Sequence, residues 1–198
     1  MLGINDDASR LKIEQAELIL ENITCLRSFI DYPALVELTV IRCKVERIEG
    51  LDKLPCLTKL WLSENKISKL EGFSECSRLE KLVLYGNSIS KLENFEGLSR
   101  LKELDISQNK IETLENLEHL HSLEILNLAM NSIHSIGNRL RSLRTLQELN
   151  LSGNRINDVE EIKPLRELSN LRVLSFYDPH YGDNPICKNY NYQVGNSV

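Results

Sequence analysis

The residues that could do chemistry are few, and their spacing matches no catalytic motif. The sequence contains no glycine-rich phosphate loop, no H-E-x-x-H, no G-x-S-x-G and no kinase signature. The five scattered cysteines form no C-x-x-C pair, which predicts reduced thiols in a reducing compartment. We therefore expect no enzymatic activity and no cofactor.

Histidine and carboxylate side chains come together in two places. Asp178, His180 and Asp183 could in principle hold a metal ion, but their setting favours a solvated turn. His119 and His121 flank Leu120 in a predicted surface turn, where exposed side chains are the expectation. We expect no metal site.

The elements that would position any binding residue are given by a repeating pattern of leucines. The phrase Leu-x-x-Leu-x-Leu-x-x-Asn-x-Ile-x-x-Leu begins at Leu57, recurs 22 residues later at Leu79, and recurs again at Leu101 with Ile106 as the third apolar residue. This is the leucine-rich repeat template. It predicts an α/β solenoid of about eight repeats, with a parallel concave β-sheet and 3₁₀ or short helical turns on the convex side.

One asparagine closes each predicted strand. Its side chain carries both donors and an acceptor, so it can satisfy backbone groups that the turning chain leaves inside the solenoid. We therefore predict a buried ladder of amides from Asn65, Asn87, Asn109, Asn131 and Asn154.

The repeats extend along the whole chain, so we predict one domain over residues 1–198. Residues 1–34 form a degenerate N-terminal cap repeat, although a helix over residues 8–20 is an alternative for the same apolar residues. Residues 35–170 form regular repeats, with longer and more helical convex sides towards the C-terminus. Residues 171–198 form a last repeat, in which five residues inserted between Phe176 and Asn184 bulge from the strand end.

The 22-residue phrase resembles an intracellular leucine-rich repeat subclass that includes protein phosphatase 1 regulatory subunit 7 and an axonemal dynein light chain. Three local phrases, at residues 32–35, 37–40 and 178–187, resemble the N-terminal repeats of the leucine-rich repeat-containing protein nine family, which is associated with ciliated cells. The subclass normally ends in a capping segment that is incomplete here, so we expect a fragment or shortened isoform of a longer protein. The resemblance implies a cytoplasmic setting at the cilium, axoneme or cytoskeleton.

The third, fifth and seventh positions of the template are not fixed as apolar residues, and we predict that they face the concave side. They place Trp61 beside Val83 and diagonal to Ile41 and Tyr85. Trp and Tyr dominate interface hot spots, so this patch is the predicted partner site. The alternative is that Trp61 only packs on its neighbours, or is covered by residues 1–12. The inserted loop adds a second candidate contact through Tyr177 and Tyr181.

The overall charge narrows the class of partner. A net charge of -5 and a pI near 5.5 argue against a nucleic-acid platform, and no apolar run reaches the roughly 18 residues that a membrane span needs. Residues 1–12 are too polar for a secretory signal. The sequence therefore predicts an intracellular, non-enzymatic scaffold that binds a protein on its concave face. The alternative is a regulatory subunit of the Ser/Thr protein phosphatase 1.

Overall fold

The computed structural model describes residues 7–189 of the chain. Within this range, eight short parallel strands lie side by side in chain order and form one sheet. The strands are β1 (Gln15–Ile19), β2 (Glu37–Ile41), β3 (Lys59–Trp61), β4 (Lys81–Val83), β5 (Glu103–Asp105), β6 (Ile125–Asn127), β7 (Glu148–Asn150) and β8 (Val173–Ser175).

The register of the strands follows the leucine pattern. Leu60 of β3 lies between Leu38 of β2 and Leu82 of β4, and all three are fully buried. Residues on either side of each buried leucine project towards the concave face, because successive side chains in a strand point to opposite sides. One such strand cannot bury its leucines alone, so the coils stack into a continuous core. The predicted solenoid with a parallel concave sheet is confirmed.

The convex side consists of short turns, as predicted. The 3₁₀ turns within the described residues span Arg27–Phe29, Leu51–Lys53, Val159–Glu161 and Lys163–Glu167. The predicted increase in helical content towards the C-terminus is present in the last two, while the longer convex segment around Gly137 contains only non-helical turns.

The interior asparagines form the predicted ladder. The Asn109 Oδ1 atom accepts a hydrogen bond from the Ile89 N–H at 2.9 Å. The Asn109 Nδ2 group donates to the carbonyls of Leu84 and Ile106, both at 3.1 Å. Each asparagine thereby ties its own coil to the preceding one, and it satisfies backbone groups that the core hides from water. The equivalent bonds are made by Asn65, Asn87, Asn131 and Asn154.

The N-terminal segment is a coil of the solenoid. Strand β1 pairs in register with β2, so Ala16 lies beside Leu38 as the repeat interpretation requires. Helix α1 is restricted to Asp7–Arg10, in place of the longer helix of the alternative. The Arg10 guanidinium lies 3.9 Å from the Asp31 carboxylate.

The last described coil contains the predicted insertion as a small hairpin. Strands β9 (Tyr177–Asp178) and β10 (Gly182–Asp183) pair antiparallel, and helix α2 (Pro185–Asn189) follows. Asn184 returns to the ladder, because its Oδ1 accepts from the Ile156 N–H at 3.0 Å and its Nδ2 donates to the Leu151 carbonyl at 2.6 Å. The predicted partial cap falls mainly on residues 190–198, which lie outside the described residues.

Candidate interaction surface

Trp61 ends strand β3 on the concave face. It lies in register between Thr39 and Val83, and its ring is half-buried. The Lys81 Nζ atom stands 5.8 Å from the centroid of the ring, within the distance for a cation–π interaction. The indole is therefore supported by the sheet on one side and accessible to a partner on the other.

The other three members of the predicted patch differ in accessibility. Ile41 and Tyr85 are half-buried like Trp61, but Val83 is only 8% exposed. Val83, although predicted as part of the partner site, is therefore nearly closed to a partner. It lies in register between Trp61 and Asp105.

Tyr85 is held by two charged residues that the sequence analysis did not single out. Its hydroxyl donates to Glu64 Oε1, and the Arg42 Nε donates to the other oxygen of the same carboxylate at 2.6 Å. We call Arg42, Glu64 and Tyr85 the rim triad. Its hydrogen bonds fix the phenol ring before any partner arrives, which lowers the entropic cost of using it as an anchor.

The rim triad shifts the pKa values of its members. The hydrogen bonds from Arg42 and then from Tyr85 lower the pKa of Glu64. The same bond raises the pKa of Tyr85, because the phenol must give up a proton that it donates to a carboxylate. Burial and the negative charge of Glu64 raise the pKa of Tyr85 further, while the charge of Arg42 opposes the rise.

The seventh template position is mostly closed to a partner, contrary to the sequence prediction. Ser107 and Ala129 are fully buried, and among the described residues only Ile19, Ile41, Tyr85 and Tyr177 retain exposure in this row. The backbone turns into the left-handed region at the next residue, so the chain folds over small side chains at position seven. The residues at position eight with positive φ are Leu20, Arg42, Glu64, Gly86, Gln108, Met130 and Gly153.

Position eight therefore lies at the rim of the sheet, and the sequence analysis gave this position no role. The recurrence of glycine there, at Gly86 and Gly153, was the available signal, because glycine adopts positive φ without strain and allows close approach. A Cβ on Gly86 would lie 3.1 Å from the Cγ of Glu64, so glycine leaves room for the rim triad.

The inserted hairpin folds back onto this same rim. A Cβ on Gly153 would lie 2.0 Å from the carbonyl oxygen of Tyr181 and 3.3 Å from the Cγ of Met130. Only glycine at position 153 permits the hairpin to lie against the seventh coil. Asp178 closes the hairpin by accepting the backbone N–H groups of His180 and Tyr181 at 2.8 and 3.3 Å. Its carboxylate thus has a turn-closing role.

The hairpin presents its two tyrosines differently. Tyr181 is half-buried, while Tyr177 at the start of the hairpin is 55% exposed. Tyr177 is therefore the more accessible of the two predicted hairpin contacts.

Beyond Val83 the concave face becomes polar. Asp105, Asn127 and Asn150 follow one another in register in the fifth position, and all three are half-buried. Each accepts the backbone N–H two residues further on, at 3.0, 3.2 and 3.0 Å respectively. We call these three residues the polar row.

Several other kinds of site are absent from residues 7–189. No three His, Cys, Asp or Glu side chains in this range group in a way that could hold a metal ion. None of the helices described is both long enough and apolar enough to cross a membrane. Burial raises the pKa of the Cys76 thiol to about 12, so this cysteine is a core residue with little thiolate.

The stacked coils, the asparagine ladder and the concave sheet define a leucine-rich repeat protein. A family model described as leucine-rich repeat matches residues 82–195, which is more than half of the chain. The chain belongs to the leucine-rich repeat family. No curated protein matches it.

Solved structures share the fold over most of this chain. It is similar to the internalin InlF of Listeria monocytogenes, at 27% identity and a TM-score of 0.71 over 82% of this chain and 48% of that one. It is similar to a leucine-rich repeat protein of Leptospira interrogans, at 27% identity and a TM-score of 0.70 over 78% of this chain and 40% of that one. It also resembles TLR13 in a complex with ssRNA13, at 26% identity and a TM-score of 0.72 over 85% and 26%. The chain spans less than half the length of each.

Proposed function

We propose that this chain is a non-enzymatic scaffold that binds a protein partner on its concave face, with Trp61 and Tyr85 as the anchors. The observation that carries the proposal is the half-exposed Trp61 ring in the middle of a rigid sheet, flanked by a tyrosine that the rim triad holds in place. Trp and Tyr each bury about 150–250 Å² when covered, and a standard interface takes about 800 Å² from each partner. Ile41 adds apolar area beside them.

The hairpin extends this surface along the rim. Tyr177 and Tyr181 offer further aromatic contacts, and the contact at Gly153 keeps the hairpin against the coil that precedes it. We propose that a partner lies across the strands, with one end on Trp61 and the other end on the hairpin. Protein is favoured over nucleic acid as the partner, because the Asp105 carboxylate and the net charge of -5 would repel phosphates.

The resemblance of the sequence suggests the setting in which to look for the partner, which is the ciliated cell. The test is affinity capture from a ciliated-cell lysate, with wild type compared with a Trp61→Ala/Tyr85→Ala double variant by mass spectrometry. Val173→Ala is the matched control, because Val173 is an exposed apolar residue of the same sheet at its far end. Circular dichroism establishes that all three proteins keep their fold.

A protein that is lost from the double variant and retained by Val173→Ala supports the proposal and identifies the partner. Identical sets from all three baits contradict it. The alternative function, regulation of a Ser/Thr phosphatase 1, is tested by adding the chain to purified catalytic subunit. A simple scaffold leaves the rate of dephosphorylation unchanged, whereas a regulator changes it in a manner that depends on the folded surface.

A further inference from the structure

The lysines of the concave face are already neutralised by neighbouring carboxylates. The Lys59 Nζ lies 2.5 Å from Glu37 Oε1, and the Lys81 Nζ lies 2.7 Å from Glu103 Oε1. Both pairs run across neighbouring strands at the third template position. These pairs therefore leave no net charge for a partner to recognise.

Asp105 is different, because only neutral groups contact its carboxylate. Its Oδ1 accepts from the backbone N–H of Ser107 at 3.0 Å and from the Ser107 hydroxyl at 2.6 Å. Its Oδ2 accepts from the Asn127 Nδ2 at 3.1 Å. No basic side chain among residues 9–188 pairs with it. These bonds orient the carboxylate and leave its negative charge uncompensated on a half-buried surface, where charges interact more strongly than in water.

The fold does not require that charge. Asn127 and Asn150 occupy the same template position in the next two coils, and each accepts the same backbone N–H with a neutral amide oxygen. An asparagine at position 105 would keep the bond to the Ser107 N–H, but its NH2 group could not accept from the Asn127 Nδ2 group. The bond that the three coils share therefore needs no negative charge, and the charge of Asp105 lies directly beside Val83 at the edge of the aromatic patch.

We infer that the occupant of the concave face is a protein segment that places a lysine or arginine on Asp105 and an apolar side chain on Trp61. This inference rests on the proposed function and names the chemistry of its partner. Asp105 lies one strand from Val83, about 5 Å, and two strands from Trp61, about 10 Å at the usual strand spacing. In an extended segment with an apolar-x-basic sequence the two side chains leave the backbone about 6.6 Å apart on one face. The long lysine or arginine side chain covers the remaining distance to Asp105.

The experiment selects a display library of short random peptides on immobilised wild-type chain, Asp105→Asn and Trp61→Ala. Peptides enriched on wild type are then made synthetically, and their affinities are measured by calorimetry at low and high salt. The matched control is Glu148→Gln, which removes one negative charge from the same face two strands beyond Asp105. A general field effect would weaken binding similarly in both charge variants, whereas a direct contact is specific to Asp105.

The expected result is enrichment of apolar-x-basic peptides that bind Asp105→Asn about tenfold or more weakly and lose their salt dependence. Glu148→Gln should change the affinity by less than about threefold. Replacing the basic residue of the peptide with norleucine should remove the difference between wild type and Asp105→Asn.

Enriched peptides without a basic residue, or equal affinity for wild type and Asp105→Asn, would overturn the inference. If peptides that give either of these results still fail to bind Trp61→Ala, the proposed function stands and only the inference about Asp105 is overturned. Peptides that bind Trp61→Ala as tightly as wild type would contradict the proposed function as well. A library with no enrichment on wild type also overturns the inference, which requires a linear segment, and it leaves the capture experiment to decide the function.

Discussion

Two rows of side-chain oxygens run along this solenoid at the same 22-to-23-residue spacing, one in the interior and one on the concave face. The interior row is the asparagine ladder, represented by Asn109, which is almost fully buried and bonds to backbone groups of two coils. The outer row is the polar row, represented by Asn127, which is half-buried and bonds to its own coil and to Asp105.

The difference teaches that residue type alone does not determine what a position does in this fold. An amide inside the solenoid replaces water for backbone groups that have no other partner, so it cannot be lost without cost. An amide on the concave face competes with solvent, so its substitution costs little and its identity is free to serve a partner. The predictions below compare substitutions in the two rows and in the residues beside them.

The largest effect should come from the interior. Asn109→Ala leaves the Ile89 N–H without a partner in the core and removes one of the two asparagine bonds to each of the Leu84 and Ile106 carbonyls, and we expect a loss of about 3 kcal/mol in the free energy of unfolding. Asn127→Ala, its counterpart on the concave face, should cost less than about 1 kcal/mol. Urea denaturation of both variants measures the two values. Equal losses would show that the two rows have the same role.

The next effect should appear in binding and not in stability. We expect Trp61→Ala to weaken the affinity for a concave-face partner by about 2 kcal/mol, or roughly 30-fold in Kd, because buried aromatic anchors dominate interface energies. Asn150→Ala changes the same row of the sheet four coils away and should leave the Kd within about threefold. Calorimetric titration of both variants with the partner measures the two Kd values. A Trp61→Ala variant with wild-type affinity would remove the basis of the site.

The hairpin should be sensitive to one methyl group. Gly153→Ala places a Cβ 2.0 Å from the Tyr181 carbonyl oxygen, so the hairpin must move away from the rim. Gly137→Ala is the control, because Gly137 also has positive φ but has no atom within 4 Å of the added Cβ among the described residues. Both variants carry the penalty for a left-handed alanine, roughly 1 kcal/mol. We expect Gly153→Ala to lose about 1 kcal/mol more on denaturation and to expose the hairpin to proteolysis. Matching values in the two variants would show that the hairpin does not depend on this contact.

The smallest effect concerns protonation at the rim triad. Arg42 and Tyr85 lower the pKa of Glu64, so their contribution to stability is present above the ordinary glutamate pKa of about 4.3 and is lost as the pH falls through the lower folded-state value. Tyr85→Phe removes one of the two hydrogen bonds, and we expect the pKa of Glu64 to rise towards its usual value. The pKa of Glu80, which Lys102 lowers, should stay unchanged as the internal control. NMR titration of the carboxyl carbons measures both. A Glu64 pKa that does not move in Tyr85→Phe would mean that the bond to Tyr85 does not form in solution.

The parts of the fold that could be predicted are those that local periodicity dictates. The leucine spacing predicted the positions of the strands, and the fixed offset of each asparagine predicted the ladder. The strands and the ladder both depend only on residues of one coil and its neighbour. The interval from Phe176 to Asn184 likewise predicted an insertion that bulges from the strand end, and the flanking residues return to their template positions.

The parts that could not be predicted depend on backbone conformation and on long-range approach. Arg42 and Glu64 adopt positive φ at position eight although neither is glycine, so their own residue types gave no sign of the turn, and the glycines of later coils were the only signal. That turn also buries the position-seven side chains which alternation alone would expose. The approach of Tyr181 to Gly153 joins residues of different coils, and no local pattern encodes it.

The most direct test of the concave-face site uses Trp61 itself, since it is the single tryptophan of the chain. The measurement is the emission maximum of Trp61 and its quenching by acrylamide, as a partner from the capture experiment or a selected peptide is added to saturation. The account predicts a shift of the emission to shorter wavelength and a loss of quenching, because the partner would remove the ring from water. Unchanged emission and quenching at saturation would show that the partner binds elsewhere, and would contradict the account.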